Sequence, residues 1–331
     1  MAISERRSEP RLDPRPQWRI RGSEAKNQML GSARSTARRI TQMSGTLSEV
    51  ALVAGSPRSG TTWLAETINH DLSYRYCFEP LELHHRHETF RGFHRLQYCR
   101  PAGARPEIET TMSRLLEGQV FTPYSDRFDP RSLASRSDRL LIKCTRMNLT
   151  LGWIANQKPE VGLILILRHP LSVLGSRERL SWLDWGAGPE DIFDLLAQSD
   201  LVADHLNPFV DLIFSRRSQF ERQIIMWCVE QMIPRTQMSS KQLHVIRYED
   251  MLANPEPNLR QVFEALGKPW DPSVLERSTM PSKTAWNGNG FAQDPRQHSD
   301  RWKTQFSPDQ RSTAAWLMEQ FGLLDLYPDT A

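Results

Sequence analysis

Cysteine is scarce in this chain: four occur in 331 residues, at positions 77, 99, 144 and 228. None lies close enough to another to form a metal-ligand or redox pair. Long apolar runs are missing as well. The longest, Val161 to Leu167, has seven residues, against the roughly 20 that a membrane-spanning helix requires. The mean hydropathy of −0.54 is correspondingly low. No segment reads as charged region, apolar run and cleavage site, so no secretory signal is expected, and a reduced, cytoplasmic protein is the economical expectation. Hydrophobic residues at 39% and charged residues at 24% exclude a fibrous or wholly disordered chain. The length allows one large domain or two modest ones, with enough core to need no disulfide staples.

Charge is unevenly spread. Residues 1–45 hold nine arginines and one lysine against four acids, a net +6, which leaves −3 of the overall +3 for the remainder. With prolines at positions 10, 14 and 16, this stretch reads as a flexible Arg-rich arm. A solvated tail is its simplest role; weak contact with an anionic surface, nucleic acid or a partner subunit is the alternative. Its acids, Glu5, Glu9, Asp13 and Glu24, argue against an organelle-targeting peptide.

From residue 46 to 331 short apolar runs alternate with amphipathic stretches, the pattern of a single α/β domain. Strands are expected at Val50–Ala54, Arg139–Lys143, Val161–Leu167 and Leu243–Arg247. Helices are expected after the first strand to about Asn69, over Asn148–Gln157, from Pro170 to about Leu180, over Ser215–Met232 ending before Pro234, and over Asn258–Leu266 stopped by Gly267. Alternation of this kind implies a parallel sheet, of about five strands, flanked by helices through right-handed crossovers. Leu81–Ser137 is less regular, rich in arginine, histidine and proline. Together with Trp182–Phe209 it is expected to face the substrate, since ligands bind beyond the carboxyl ends of the strands.

The most informative segment is Gly55-Ser-Pro-Arg-Ser-Gly-Thr-Thr62, between a strand and a helix. Glycines at 55 and 60 let the backbone curl so that successive N–H groups face one anion at the helix N-terminus. Thr61 and Thr62 add hydroxyl donors there. The spacing is that of a phosphate loop, but threonine follows Gly60 where a nucleotide triphosphatase places lysine, and the loop's cation is Arg58 instead. From the loop alone, a phosphate-loop kinase and a non-catalytic nucleotide- or nucleic-acid-binding module therefore stay open as readings.

Pro57-Arg-Ser-Gly-Thr-Thr-Trp-Leu64 closely resembles the 5′-phosphosulfate loop of sulfotransferases that use 3′-phosphoadenosine 5′-phosphosulfate (PAPS). A second signature accompanies it. Leu163-Ile-Leu-Ile-Leu-Arg168, followed eight residues later by Ser176, is similar to that family's arginine and serine on the donor's 3′-phosphate, and the arginine fork suits phosphate oxygens. Arg247-Tyr-Glu-Asp-Met251 looks like the segment whose tyrosine, here Tyr248, lies near the adenine. Ser299-Asp-Arg-Trp-Lys303 resembles a glycine-arginine-tryptophan segment near the nucleotide, with Asp300 in place of glycine, which would make Arg301 and Lys303 nucleotide contacts. The resemblance runs from about Leu47 to Tyr327. It implies a P-loop-type fold, PAPS as donor co-substrate, no required metal, and a donor site of Arg58, Ser59, Gly60, Thr61, Thr62, Trp63, Arg168, Ser176, Tyr248, Arg301 and Lys303. Trp63 fits core packing equally well.

Sulfuryl transfer requires in-line positioning and charge stabilisation. Arg58 and Lys143 are placed to neutralise the bridging oxygen, although a solvent-facing Lys143 is also consistent with the sequence. The resemblance bears on the base too. Phenol and steroid sulfotransferases close a lysine-x-histidine motif with their base, whereas this chain has Lys143-Cys-Thr145. Tyr76-Cys-Phe-Glu-Pro80 is instead similar to the phenylalanine-glutamate-proline segment of carbohydrate sulfotransferases. That points to Glu79 as base and to a sugar or glycosylated acceptor, with His84 or His85 next in line. His84, His85 and His87 lie too close in sequence to face one metal ion. Trp182, Trp185 and Trp286 are candidates for stacking on the acceptor, or for plain packing. Oligomeric state is left open.

Overall fold

The computed structural model describes residues 47–129, 137–180, 188–216, 218–285 and 300–330. The Arg-rich arm, the three stacking tryptophans and Ser299 fall outside them. Five strands, β1 (Glu49–Ala54), β2 (Arg75–Phe78), β3 (Arg139–Lys143), β4 (Gly162–Leu167) and β5 (His244–Arg247), form one sheet in the order β2-β3-β1-β4-β5. Every pairing is parallel. The expected α/β architecture is therefore present, with the first strand at its centre.

Period-2 alternation divides the sheet's side chains between two cores. Leu52, Leu140, Ile142, Leu163 and Leu165 face helices α2 (Pro106–Leu116) and α3 (Leu151–Gln157), meeting Met112, Leu115, Trp153 and Ile154. Ala51, Val53, Leu141, Ile164 and Ile166 face the opposite way. They pack on Leu64 and Ile68 of α1 (Thr61–Ile68) and, beyond β5 and the short helix α6 (Tyr248–Ala253), on Val262 and Phe263 of α7 (Pro255–Ala265). Every residue of α1 is buried. Burying Leu64 and Ile68 alone is worth about 1.5–3 kcal/mol each, which holds the helix start firmly against the sheet. A third core gathers α4 (Pro170–Glu178), α5 (Gln219–Gln237) and α8 (Pro308–Gln320).

Two expectations need correction. The segment 81–137 contains a regular helix, α2, whose buried Ile108, Met112, Leu115 and Leu116 recur at helical spacing. The long helix does not stop before Pro234 but runs through it to Gln237. Proline there leaves the Glu230 carbonyl without its helical donor, and the Asn148 side-chain amide supplies one at 3.2 Å.

Register then does the positioning. Val53 pairs with Lys143, Phe78 with Lys143, Ala54 with Leu165 and Leu167 with Arg247. The residues that come after each strand consequently emerge along one edge: Glu79 after β2, Lys143 and Thr145 at β3, the 55–62 loop at β1, Arg168 at β4 and Tyr248 at β5.

Candidate active site

These strand tips surround a cavity of about 310 Å³. Its lining includes Arg58, Gly60, Thr61, Thr62, Trp63, Glu79, Lys143, Arg168, Ser176, Tyr248 and Arg301. Two expected donor contacts lie elsewhere. Ser59, within the loop, is fully buried, its hydroxyl without a hydrogen-bond partner among the described residues. Lys303 does not line the cavity and pairs with Asp300 at 3.2 Å and Asp329 at 3.5 Å.

The 55–60 loop is held from four directions. Asn148 Oδ1 accepts the Gly55 N–H at 3.2 Å. Ser56 Oγ donates to the buried Glu230 and accepts from Gln231 Nε2 at 3.0 Å. Arg177, buried in α4, donates through Nη2 to the Pro57 carbonyl at 3.3 Å. Arg168 Nη1 donates to the Arg58 carbonyl at 2.9 Å. Gly60 has φ +92°, and a Cβ there would sit 2.6 Å from the Tyr248 ring. Only glycine meets both demands. Arg58 itself has φ +79°, a conformation costly for a side chain this large. At α1 the first N–H groups have no intrahelical acceptor, and Gly60, Thr61 and Thr62 present that end to the cavity.

Arg58 and Arg168, separated by 110 positions in sequence, are thus hydrogen-bonded neighbours. Arg58 Nε also donates to Ser176 Oγ at 3.1 Å, so the first loop and the arginine–serine pair form one constellation. Burial first, then the nearby Arg168 and Arg179, lower the Arg58 pKa to about 10; the group stays cationic at neutral pH. Six cations line the cavity (Arg58, Arg127, Lys143, Arg168, Arg179 and Arg301) against two acids, Glu79 and Glu82. A polyanion would relieve that repulsion. Tyr248 lies under the Arg168 guanidinium, 4.6 Å from its ring centre, and edge-on to Trp63 at 5.9 Å. Trp63 also donates from Nε1 to the Ser278 carbonyl at 3.0 Å, so it both packs and lines.

At the other end Glu79 has φ +44° and is buried. Its carboxylate accepts from Lys143 Nζ and, at 2.9 Å each, from the Thr145 N–H and Oγ1–H. Burial pushes the Glu79 pKa up, but Lys143 and the Thr145 donor outweigh it and hold the carboxyl below its ordinary value. His85 and His84 are exposed; His85 stacks on Tyr124 at 4.2 Å, and neither lines the cavity. Among the described residues no cluster of three potential metal ligands occurs, and no helix is long and apolar enough to cross a membrane.

Several lining residues were not anticipated: Glu82, Tyr124, Arg127, Thr145, Arg179 and Thr284. Arg179 sits three residues beyond Ser176, on the same helical face, and was legible. Arg127 and Tyr124 line the cavity from a segment tied to β2, where the Ser125 carbonyl accepts the Phe78 N–H at 2.8 Å and the Asp129 carboxylate that of Tyr76 at 3.2 Å.

Residues 51–272 match a family model described as "Sulfotransferase family". Among solved structures, a sulfotransferase domain from the curacin biosynthetic pathway is 18% identical, with 84% of this chain and 99% of that one covered and a TM-score of 0.45. The sulfotransferase domain of the Synechococcus PCC 7002 olefin synthase gives 18% identity, 84% and 95% coverage and a TM-score of 0.42. Mouse sulfotransferase SULT7A1 complexed with PAP gives 15% identity, 91% and 96% coverage and a TM-score of 0.40. No curated protein matches the chain.

Proposed function

Because the chain belongs to the sulfotransferase family, we propose that it moves the sulfuryl group of PAPS to the hydroxyl of a sugar or glycosylated small molecule. The observation that carries this reading is the merger of two anion-binding turns into one, through the 2.9 Å bond from Arg168 to the Arg58 carbonyl and the 3.1 Å bond from Arg58 to Ser176. Glycine-curled backbone and threonine hydroxyls at β1 suit the 5′ end of a bisphosphorylated nucleotide. Arg168 and Ser176 suit its 3′-phosphate, and Tyr248 with Trp63 suits the base. The cavity's cationic excess fits such a donor, whose phosphosulfate linkage supplies an activated sulfuryl group when bound.

The chain's own residues divide the remaining work. Arg58 and Lys143 would compensate charge building on the oxygen that leaves with the nucleotide. Glu79 would take the proton of the attacking hydroxyl. Its low pKa keeps it ionised and ready but weakly basic. As Lys143 turns from Glu79 to the departing oxygen, the carboxylate loses its nearest cation and its basicity rises. Thr145 occupies the place of the phenol-type histidine, and its N–H and hydroxyl both donate to Glu79, which supports the carboxylate as base.

The direct test is thermal stabilisation by 3′,5′-adenosine bisphosphate (PAP) without magnesium, followed by transfer of label from [35S]PAPS to hydroxyl compounds in a metabolite extract. Stabilisation by magnesium-ATP alone, with no labelled product, would replace this reading with a phosphotransferase. Deleting residues 1–45 should leave transfer intact.

A further inference from the structure

We infer that the acceptor carries one monoanionic group, a carboxylate foremost, and that Arg127 binds it; this rests on the sulfotransferase reading above. The donor contacts come from the tips of β1, β4 and β5. Sheet order leaves the tips of β2 and β3 as the other half of the cavity, formed by Phe78, Glu79, Lys143, Thr145, Tyr124 and Arg127. Charge in that half is mostly settled internally. Glu79 is bound to Lys143, and Glu82 to the buried Arg146 at 2.7 Å.

Arg127 is different. No carboxylate among the described residues pairs with it, and its Nε is buried without a hydrogen-bond partner. Its guanidinium lies instead over three ring faces, 3.8 Å from the centre of Tyr124, 4.6 Å from Phe128 and 4.7 Å from Phe78. Those faces fix the fork's plane and keep water from one side without consuming its donors. The group is permanently cationic. An arginine so placed, lining the same cavity as the proposed base and with no carboxylate partner among the described residues, is a receptor for a carboxylate. In that half, one cation without a carboxylate partner among the described residues matches a single negative charge.

The experiment uses matched acceptors, 4-methylumbelliferyl β-D-glucuronide and β-D-glucoside, which differ in the carboxylate. A charge-assisted pair predicts that the full-length enzyme favours the glucuronide about tenfold to a hundredfold in kcat/KM. Arg127→Met should erase the preference by raising the glucuronide's KM, bringing the two probes to parity in kcat/KM while PAP still binds by calorimetry. Arg127→Lys should keep part of the preference, a check that needs no loss of the cation. Equal rates on the two probes, turnover of neither, or a preference that survives Arg127→Met would overturn the inference. So would loss of PAP affinity in Arg127→Met, which would assign the residue to the donor. Failure of PAP to bind the unmodified enzyme would instead overturn the underlying donor reading.

Discussion

The two halves of the cavity are built on different principles. At β1 and β4 the geometry is written into the backbone: a left-handed glycine at Gly60, a carbonyl at Arg58 captured by Arg168, N–H groups at a helix start. At β2 and β3 it is written into paired side chains, Glu79 with Lys143 and Glu82 with Arg146. Backbone geometry tolerates few residue types, so a half built that way binds one ligand and changes little. A half built from side-chain pairs can be re-lined residue by residue, which suits a variable acceptor.

The contrast places the largest effect in the loop. Arg58→Ala should lower turnover on the order of a thousandfold, the cost of one donor to a developing negative charge. Near-normal turnover in the PAPS assay would remove Arg58 from the chemistry. A substitution in the acceptor half should separate rate from donor affinity. Glu79→Gln should cost about a hundredfold in kcat with PAP affinity unchanged by calorimetry; an unaltered rate would move the base elsewhere. Next in size, Arg168→Ala should weaken PAP about tenfold to a hundredfold. An unchanged dissociation constant would detach Arg168 from the nucleotide.

The same contrast decides what was legible in the sequence. The loop announces itself by its glycine spacing between a strand and a helix, whereas Arg168 with Ser176, and Tyr248, came from the resemblance of their local segments to those of the sulfotransferase family. The central strands were legible as apolar runs. β2 was not: Arg75-Tyr-Cys-Phe is four residues long and opens on a buried arginine, so it carries no alternation to detect. Glu79 was a candidate through the resemblance of its neighbours Phe78 and Pro80 to a family segment, but its bond to Lys143 spans 64 positions and has no local signal. The place of Arg127 in the cavity has no local signal either. Helix α2 was legible in principle, through Ile108, Met112 and Leu115, and was obscured by the prolines and arginines around it.

The smallest effect distinguishes the halves by their response to acid. Behind the donor half, His169 is buried against Trp302, ring centres 3.9 Å apart. Its Nδ1 accepts the Leu171 N–H at 3.2 Å, and its Nε2 meets Thr330 Oγ1 at 2.9 Å. Since Thr330 Oγ1 donates to the Tyr327 carbonyl at 2.7 Å, the proton on the ring belongs on Nε2. A second proton would have to displace the Leu171 N–H. Burial, with Lys303 and Arg247 nearby, lowers the His169 pKa from 6.5 to about 3. Between those values the unfolded chain binds the proton and the folded one does not, so stability is complete above 6.5 and is lost progressively as pH falls toward 3. Glu79, held below its ordinary 4.5, contributes stability above that value that is lost only at lower pH. His169→Gln should therefore flatten the fall in melting temperature between pH 6.5 and 5, where Glu79→Gln leaves the slope unchanged. Equal slopes in all three proteins would show that His169 is not the group whose protonation loosens the donor half.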